Sequence, residues 1–437
     1  MESLACGHDA PVAGRACRHL LSPSAPETGY HLFFTGRGDE RLLVCEDCGR
    51  AEEPTARADS ALCLACLRAR EAETSGLISL HGKPEARTRR TSLRFEHREH
   101  PRPAMEGSTP RAITPVGTAP RSRWLAVDAG GGLLLLDLDA GTTTRLGALP
   151  PDAVQLDADL ELHVSACGGF AAVANRHGSR GVVVSLGTGA VTMKLERGDY
   201  HETRCVFPLA FFEDGGRTLL VHGTRWNRLD ISDPATGALL TPRDDESPDD
   251  DTAPAHALDY FHCGLTVSPD GQWLADDGWV WHPVGVLTTL SLRRWLHENV
   301  WESEDGPSRR QLRDIPYFWD GPCCFVDART LAVWGLGSNP DRLLDAALLF
   351  DVESGALLRW FPGPRGALRA DGRFLLASAV DSGTQVWDWE TGERLHEEPG
   401  LVPTAWHPAA RCLLTVRDDG SLRESRLVQP EPGSGGP

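Results

Sequence analysis

The stretch Gln385-Val-Trp-Asp-Trp-Glu-Thr-Gly392 consists of an apolar strand followed by a short turn that ends in glycine. Its aromatic and β-branched side chains favour a strand, and a glycine at its end accepts the positive φ that tight turns require. The same pattern of strand and turn occurs four more times, ending at Gly141, Gly189, Gly237 and Gly355. We therefore predict a chain built from repeated antiparallel strands.

The spacing of the turn glycines indicates the size of the repeat. Gly141, Gly189 and Gly237 are 48 residues apart, a further 48 residues lead to Gly285, and Gly392 follows Gly355 by 37. Periods of roughly 40 to 50 residues are typical of four-stranded propeller blades. In Ser268-Pro-Asp-Gly-Gln-Trp-Leu-Ala275 and Arg369-Ala-Asp-Gly-Arg-Phe-Leu-Leu376, a tight turn precedes an apolar strand, as in a hairpin.

Together these features resemble the WD40 family of β-propeller repeat proteins, which combine a Ser-Pro-Asp-Gly turn, a Trp-Asp dipeptide and a Thr-Gly turn. The resemblance covers residues 111–428, with the dipeptide at Trp387-Asp388 and without the family's Gly-His element. It implies an all-β fold, for which we count seven blades, with six or eight left open. It also implies a closed ring, whose last blade is completed by a strand from about 105–118.

The repeat is interrupted once, because Gly285 and Gly355 are 70 residues apart. The additional residues fall in Leu290–Trp319, where Leu292, Trp295 and Leu296 have helical spacing. We predict a short amphipathic helix on the rim of the propeller. If Trp295 and Trp301 face solvent, they would form an anchor patch for a partner.

The strongest chemical signal is a pair of Cys-x-x-Cys motifs, Cys45-Glu-Asp-Cys48 and Cys63-Leu-Ala-Cys66, with fourteen residues between them. This separation approaches that of zinc modules, and four thiolates suit a tetrahedral Zn²⁺ ion. A redox Cys-x-x-Cys requires a thioredoxin-like βαβ context, which the neighbouring sequence lacks.

Two Cys-x-His pairs, Cys6-Gly-His8 and Cys17-Arg-His19, add four candidate ligands. In one arrangement the first ion is bound by Cys17, His19, Cys45 and Cys48, and the second by Cys6, His8, Cys63 and Cys66. Spacing alone leaves open both this pairing and the choice between one ion and two. An ion with four protein ligands is closed to substrate, so we expect structural zinc that holds this segment folded.

Composition divides the chain into a zinc-binding module (1–70), a flexible polar linker (71–110), the propeller (111–428) and a disordered tail (429–437). No apolar run approaches the ~18 residues that a membrane span requires. The N-terminal residues also lack the charged and apolar regions of a signal peptide. We therefore expect a cytoplasmic protein.

The net charge of −18 makes nucleic acid an unlikely partner, because phosphate backbones are bound by clustered Lys and Arg. The sequence contains no G-x-S-x-G, P-loop or H-E-x-x-H motif.

We expect a non-catalytic scaffold that binds a protein or peptide. Two alternatives stay open. One is a lactonase-like or lyase-like propeller enzyme with its site in the central funnel, near His163, His262 and His407. The other is nucleic-acid binding through the zinc module.

Overall fold

The computed structural model describes residues 4–8, 12–22, 29–35, 41–63, 65–67, 77–82, 84–243, 256 and 258–429. In this part of the chain one five-stranded sheet is followed by seven antiparallel sheets of three or four strands. The short helices include α1 (Arg18–Leu21), α2 (Glu46–Gly49), α3 (Leu292–His297) and α4 (Glu302–Asp305), and there are 3₁₀ turns at Pro54–Arg57, Glu202–Arg204 and Pro340–Arg342. The protein is thus all-β, as predicted. The tail from residue 430 lies outside the described residues.

The five-stranded sheet, here called the module sheet, has the strand order β4-β1-β3-β2-β5. Its strands are β1 (Val12–Ala16), β2 (Tyr30–Phe34), β3 (Arg41–Cys45), β4 (Ser60–Cys63) and β5 (Leu77–His81). β1 is parallel to β3 and antiparallel to β4. Gly14 allows β3 to approach β1 closely, because a Cβ at Gly14 would lie 2.5 Å from the carbonyl oxygen of Arg41.

Seven sheets, numbered 1 to 7 along the chain, follow the module sheet. After β6 (Arg94–His100), sheet 1 contains β7 (Ala112–Pro115), β8 (Arg123–Val127), β9 (Gly132–Asp137) and β10 (Thr142–Ala148). Sheet 2 contains β11 (Leu160–Val164), β12 (Phe170–Asn175), β13 (Arg180–Ser185) and β14 (Val191–Glu196), and sheet 3 contains β15 (Leu209–Asp214), β16 (Arg217–Arg225) and β17 (Arg228–Ser232).

The remaining sheets repeat this pattern. Sheet 4 contains β18 (Phe261–Val267), β19 (Trp273–Val280), β20 (Val284–Ser291) and β21 (Arg310–Pro316). Sheet 5 contains β22 (Cys323–Phe325), β23 (Thr330–Leu336), β24 (Leu344–Asp351) and β25 (Leu357–Pro362). Sheet 6 contains β26 (Ala367–Asp371), β27 (Phe374–Ala379), β28 (Gly383–Asp388) and β29 (Glu393–Glu398), and sheet 7 contains β30 (Ala405–His407), β31 (Cys412–Val416) and β32 (Leu422–Val428).

Most of the turns that suggested the repeat share one hydrogen-bond pattern. In four of the five turns the glycine N–H donates to the carbonyl oxygen four residues earlier, at 2.7 Å for Gly392 and at 2.8 Å for Gly189, Gly237 and Gly355. In sheet 6 the buried Asp388 carboxylate also accepts from the N–H groups of Glu390 and Thr391, both at 3.1 Å. The glycine takes the positive φ, so the residue types at these turns follow from local geometry.

Neighbouring sheets pack face to face, because side chains alternate between the two faces of each strand. On β12, Ala171 and Val173 pack toward sheet 1, whereas Ala172 and Ala174 pack toward sheet 3. Such clusters join every consecutive pair of sheets, and one more joins sheet 7 to sheet 1 through residues that include Trp124 and Leu414. The sheets therefore have a propeller-like arrangement in which both faces of a central strand are buried.

Sheet 7 obtains its fourth strand from the N-terminal side of the chain. β6 pairs antiparallel with β32 over seven residue pairs, from Leu422 with His100 to Val428 with Arg94. The expectation that this strand lies within about 105–118 was wrong, because β6 lies earlier. The stretch 71–110, expected to be a linker, thus contains both β5 and β6. β6 has only one apolar residue, Phe95, because an outermost strand buries little of its surface.

The module sheet packs against sheet 5. Trp360 of β25 is in contact with the edge of the Phe34 ring, at a centroid distance of 5.9 Å, and the Arg41 guanidinium lies 4.2 Å from the centre of the Trp360 ring. The Ser338 hydroxyl donates to the Leu77 carbonyl at 2.9 Å. Apolar residues of both parts form one hydrophobic cluster, which fixes the module on this sheet.

The interruption of the repeat lies between the third and fourth strands of sheet 4. α3 and α4 connect β20 to β21, so the interval expected to be an insert also contains a sheet strand. Trp295 is fully buried and Trp301 is half-buried, so Trp295 cannot be an exposed anchor. Gly285, expected at a turn, lies within β20, where a Cβ would be 1.6 Å from the Phe318 carbonyl oxygen. Its role is close packing.

We predict that the Phe95→Ala substitution lowers the free energy of unfolding by about 3 kcal/mol, because a buried aromatic ring that packs β6 onto sheets 6 and 7 is lost. Urea unfolding followed by tryptophan fluorescence measures this change. Arg98→Ala, on the same strand with a largely exposed side chain, should shift stability by no more than about 0.5 kcal/mol. Equal effects of the two substitutions would contradict a packing role for β6.

Candidate metal centres and central cavity

Metal site 1 consists of Cys17, His19, Cys45 and Cys48 and lies at one end of the module sheet. Because β1 and β3 are parallel, their carboxyl ends meet at the same edge, which brings Cys17, just after β1, to Cys45, the last residue of β3. The Cys45 N–H donates to the Cys17 thiol at 3.3 Å. His19 lies on α1 and Cys48 on α2, so each short helix directs a second ligand to the same point.

Metal site 2 consists of Cys6, His8, Cys63 and Cys66 and lies at the opposite end of β1. β4 is antiparallel to β1, so Cys63 at the end of β4 pairs with Val12 at the start of β1. The segment that precedes β1 therefore delivers Cys6 and His8 to Cys63. The single strand β1 thus connects the two sites. Along the chain, the first and last ligand pairs belong to metal site 2, and the two pairs between them belong to metal site 1.

The side-chain geometry of both sites fits a tetrahedral ion. His19 Nδ1 is 3.4 Å from Cys45 Sγ and 3.3 Å from Cys48 Sγ. His8 Nδ1 is 3.4 Å from both Cys63 Sγ and Cys66 Sγ. Bonds of about 2.3 Å to sulfur and 2.0 Å to nitrogen place tetrahedral ligands roughly 3.5 Å apart. These two ligand sets are the ones in the arrangement proposed from the sequence, and each could bind a metal ion.

The pKa values of the thiols within each metal site differ from one another, as expected when several thiols share a small volume. Hydrogen bonds from the backbone N–H groups of Cys63 and His8 lower the pKa of the Cys6 thiol to about 6. Burial, followed by the hydrogen bond and charge of its thiol neighbours, raises the pKa of Cys48 to about 12. Burial likewise raises the pKa of Cys66 to about 11. A divalent cation would relieve this repulsion and displace the remaining protons.

A neighbouring polar group lies apart from both metal sites. His31 Nδ1 is 2.8 Å from Ser79 Oγ and 3.1 Å from His81 Nε2, across the parallel pair β2 and β5. Sequence reasoning did not find this group. Ser79 and His81 lie in the stretch assigned to the linker, and the pairing of β5 with β2 is a tertiary contact.

The second candidate site is a cavity of about 330 Å³ between residues of sheets 2 to 6, here called the central cavity. Its polar lining includes Glu161, His163, Arg176, Asp277, Asp320 and Cys323. A further cavity of about 460 Å³ shares His163, Leu265 and Thr266 with it, so the two cavities follow the same strands β11 and β18. Of the three histidines proposed for a funnel, only His163 lines these cavities. His262 and His407 are buried, against Asp276 and Trp124 respectively.

The charges of the central cavity are unevenly compensated. Glu161 contacts both Arg176 and His163, the latter at 3.3 Å. Among the described residues, Asp277 accepts only the Gly321 N–H, at 2.7 Å, and Asp320 accepts the Gly264 N–H at 3.0 Å. Burial raises the pKa of Asp277 to about 7 and that of Asp320 to about 6. Within the described residues, no Arg, Lys or His nitrogen lies within 4 Å of either carboxyl group.

Sequence reasoning did not select these two carboxyl groups, although a signal was present for one. The β19 sequence Trp273-Leu-Ala-Asp-Asp-Gly-Trp-Val280 places two acids inside an otherwise apolar strand, which is costly unless they have a purpose. Asp320 lies in a loop, so nothing in the sequence indicates that it reaches the same cavity. In the described ranges the groups of three or more Cys, His, Asp or Glu close enough to share an ion are metal sites 1 and 2.

No protein-family model matches the chain, and no curated protein matches it in sequence. Within the described residues, no helix combines the length and apolar character required to cross a bilayer.

We predict two divalent ions per chain, measured by metal analysis of protein purified without chelator. Cys45→Ser and Cys63→Ser should each reduce the content to one ion, because the sites share no ligand. Cys167→Ser is the matched control, since Cys167 is exposed and belongs to neither site, and it should keep both ions. Loss of both ions in each ligand variant would contradict two separate sites.

We predict that Asp320→Asn stabilises the protein at pH 8, by at most about 3 kcal/mol. The folded protein holds this proton to about pH 6, whereas the unfolded chain releases it near pH 4, so stability falls as pH rises between these values. The charged and titratable groups that act on this carboxyl include Arg176, Arg197, Glu161, Asp277, Cys205, Cys263 and Cys323.

Asparagine keeps an acceptor for Gly264 and tolerates the φ of 55° at this position. Thermal unfolding of both proteins between pH 4 and pH 8 is the measurement, with the exposed Asp152→Asn as control. The gain should vanish toward pH 4. An equal gain at both ends of the range would show that charge burial is not its cause.

Proposed function

We propose that this protein is a non-catalytic interaction protein. In this proposal two structural Zn²⁺ ions stabilise an N-terminal module, which is fixed on the rim of a seven-bladed WD40-like propeller. The partner is a protein or peptide, and the location is the cytoplasm.

A closed ring of seven blades is supported by the packing of the sheets. β30 of sheet 7 contacts β7 of sheet 1, and the first strands of sheets 1 to 6 contact one another in the same consecutive way. β6 supplies the outer strand of sheet 7, so the first and last parts of the repeat region are joined by a strand pair. Such closure removes exposed sheet edges, which otherwise invite aggregation.

Zinc is supported by the donor set of each site. Three cysteine sulfurs and one histidine nitrogen favour Zn²⁺ over the hard cations, which prefer oxygen ligands. Each ion would have four protein ligands and therefore no open position for a substrate. A structural role follows, because the module sheet has strands of only four or five residues and a small core.

The contact between the module and sheet 5 is the main support for an interaction function. Phe34 and Arg41 of the module both contact Trp360, so the two parts form one rigid surface. A rigid composite surface suits partner binding, because little conformational entropy is lost when the partner binds. The acidic composition suits a basic partner better than nucleic acid.

The central cavity favours one second candidate, an enzyme of the lactonase-like or lyase-like kind. Its acids and His163 line one space, and two of its carboxyl groups have raised pKa values, which is common at catalytic sites. The described side chains of the cavity do not, however, meet as three ligands of one ion. The scaffold therefore remains the first proposal.

The test is a cross-linked pull-down with the full chain. The sequence contains only two lysines, Lys83 and Lys194, so the cross-linker should react with carboxyl groups rather than amines. We expect a partner in one-to-one ratio that binds again when both proteins are purified. A propeller fragment used alongside must begin before Arg94, because a start at residue 111 would remove β6.

The matched variants are Trp360→Ala, which removes the contact between module and sheet 5, and Leu239→Ala, which shortens a partly exposed apolar side chain beside sheet 3. Loss of the partner with Trp360→Ala but not with Leu239→Ala would assign binding to the composite surface. If neither the full chain nor the propeller fragment retains a partner, the scaffold proposal fails, and substrate screening of the central cavity follows.

A further inference from the structure

The loops at one side of the central cavity combine exposed aromatic rings with strained backbone. They precede β15 and β22 and connect β16 to β17 and β19 to β20. Tyr200, Trp281 and Tyr317 are 48%, 41% and 68% exposed, although large aromatic side chains usually bury most of their surface. Tyr200 and Trp281 extend a stack in which Trp279 lies 5.3 Å from Trp319 and 4.0 Å from Phe261.

Backbone strain is concentrated in the same loops. His201, His282, Tyr317 and Asp320 have positive φ values of 56°, 121°, 55° and 55°, and Arg411 is the one other described non-glycine residue with positive φ. Strain of this kind persists where the surrounding structure enforces it and is found preferentially at binding sites. Asp320 itself both lies in such a loop and lines the central cavity.

The cavity and the loops are physically continuous. Trp319 Nε1 donates to the Arg204 carbonyl at 2.9 Å, and Trp279 Nε1 donates to the Cys205 thiol at 3.2 Å. Val206, which follows Cys205, and Asp320, which follows Trp319, both line the cavity. A ligand group in the cavity would thus continue onto the aromatic surface.

The carboxyl groups of the cavity favour a ligand with a positive charge. Asp277 is only 5% exposed, and its single hydrogen bond among the described residues engages Oδ2, so Oδ1 has no partner there. Among the described residues, Asp320 accepts from backbone N–H groups alone, whereas Arg176 is paired with Glu161. Arg176 also acts on Asp320, and the buried Arg313 acts on Asp277, but in this part of the chain neither guanidinium forms an ion pair with the carboxyl group that it acts on. A cationic group in the cavity would supply that direct contact.

We propose that the central cavity binds the arginine or lysine side chain of a peptide partner, with Asp320 and Asp277 as its acceptors and the aromatic loops in contact with the flanking peptide residues. The inference rests on the proposed interaction function and names the chemistry of its partner. A long side chain with a terminal charge fits a cavity that has acceptors inside and apolar rings outside.

The test uses two acetylated, amidated pentapeptides, Ala-Ala-Arg-Ala-Ala and the same peptide with citrulline, which has the shape of arginine without its charge. The full chain is labelled at its tryptophan indole nitrogens, and the N–H signals of Trp279 and Trp319 report on the cavity. Trp124 and Trp387, buried in sheets 1 and 6, serve as reference signals. We expect the arginine peptide to shift the two reporters saturably and to bind at least about tenfold more tightly than the citrulline peptide.

The variants separate binding from stability. Asp320→Asn should weaken the arginine peptide about tenfold, although this variant is expected to be the more stable protein, so unfolding cannot explain the loss. Asp152→Asn should bind like the wild type. Trp281→Ala should weaken the peptide while leaving methylguanidinium, the bare charged group, unaffected, which distinguishes a peptide from a free small cation.

Equal affinity for the arginine and citrulline peptides, or unchanged affinity in Asp320→Asn, would overturn the inference. So would the absence of a saturable shift with both the arginine peptide and methylguanidinium. If these outcomes occur while a stoichiometric partner is still captured, the cation site fails and the interaction function stands. If the cation binds but no partner exists, the site belongs to a small-molecule function.

Discussion

A pairing of seven residues joins β6 to β32, where the beginning and the end of the sheet region meet. It ties the segment after the module to the last sheet, with Phe95 in the core between sheets 6 and 7. The buried His100 adds a hydrogen bond to Glu424 at 2.7 Å. Because sheet 7 also packs against sheet 1, this strand pair determines where the repeat region begins and ends.

The module shows how a small sheet can be held by its ends. β1 has Gly14 at its centre and a candidate metal site at each end, so ions would fix the strand where side chains provide little core. Its remaining apolar surface packs on Trp360 and neighbouring residues of sheet 5. Metal ligands and tertiary packing therefore act on the same few strands, which makes the position of the module sensitive to both.

Burial in the central cavity lowers the stability of the folded protein, whereas burial between the sheets raises it. Packing in the sheets satisfies both faces of the strands, whereas Asp277 and Asp320 are buried with incomplete compensation. Strained residues lie beside them in the same loops. Groups that lower the stability of the folded protein without forming compensating contacts are characteristic of functional sites, because a bound ligand can supply those contacts. The proposed cationic ligand would account both for the burial of these carboxyl groups and for the exposure of the nearby aromatic rings.

The amino-acid sequence alone predicted the repeated strands, the turn glycines and the eight candidate ligands of metal sites 1 and 2, because these depend on local spacing and on the geometry of single turns. It did not determine the position of β6, since a polar outermost strand carries almost no hydrophobic pattern. It also misplaced Gly285 and left Trp295 open, because both are decided by contacts with residues distant in sequence. Only the tertiary structure brought Asp277 and Asp320 to one cavity, since the elements that carry them meet through the packing of whole sheets, which no local pattern records.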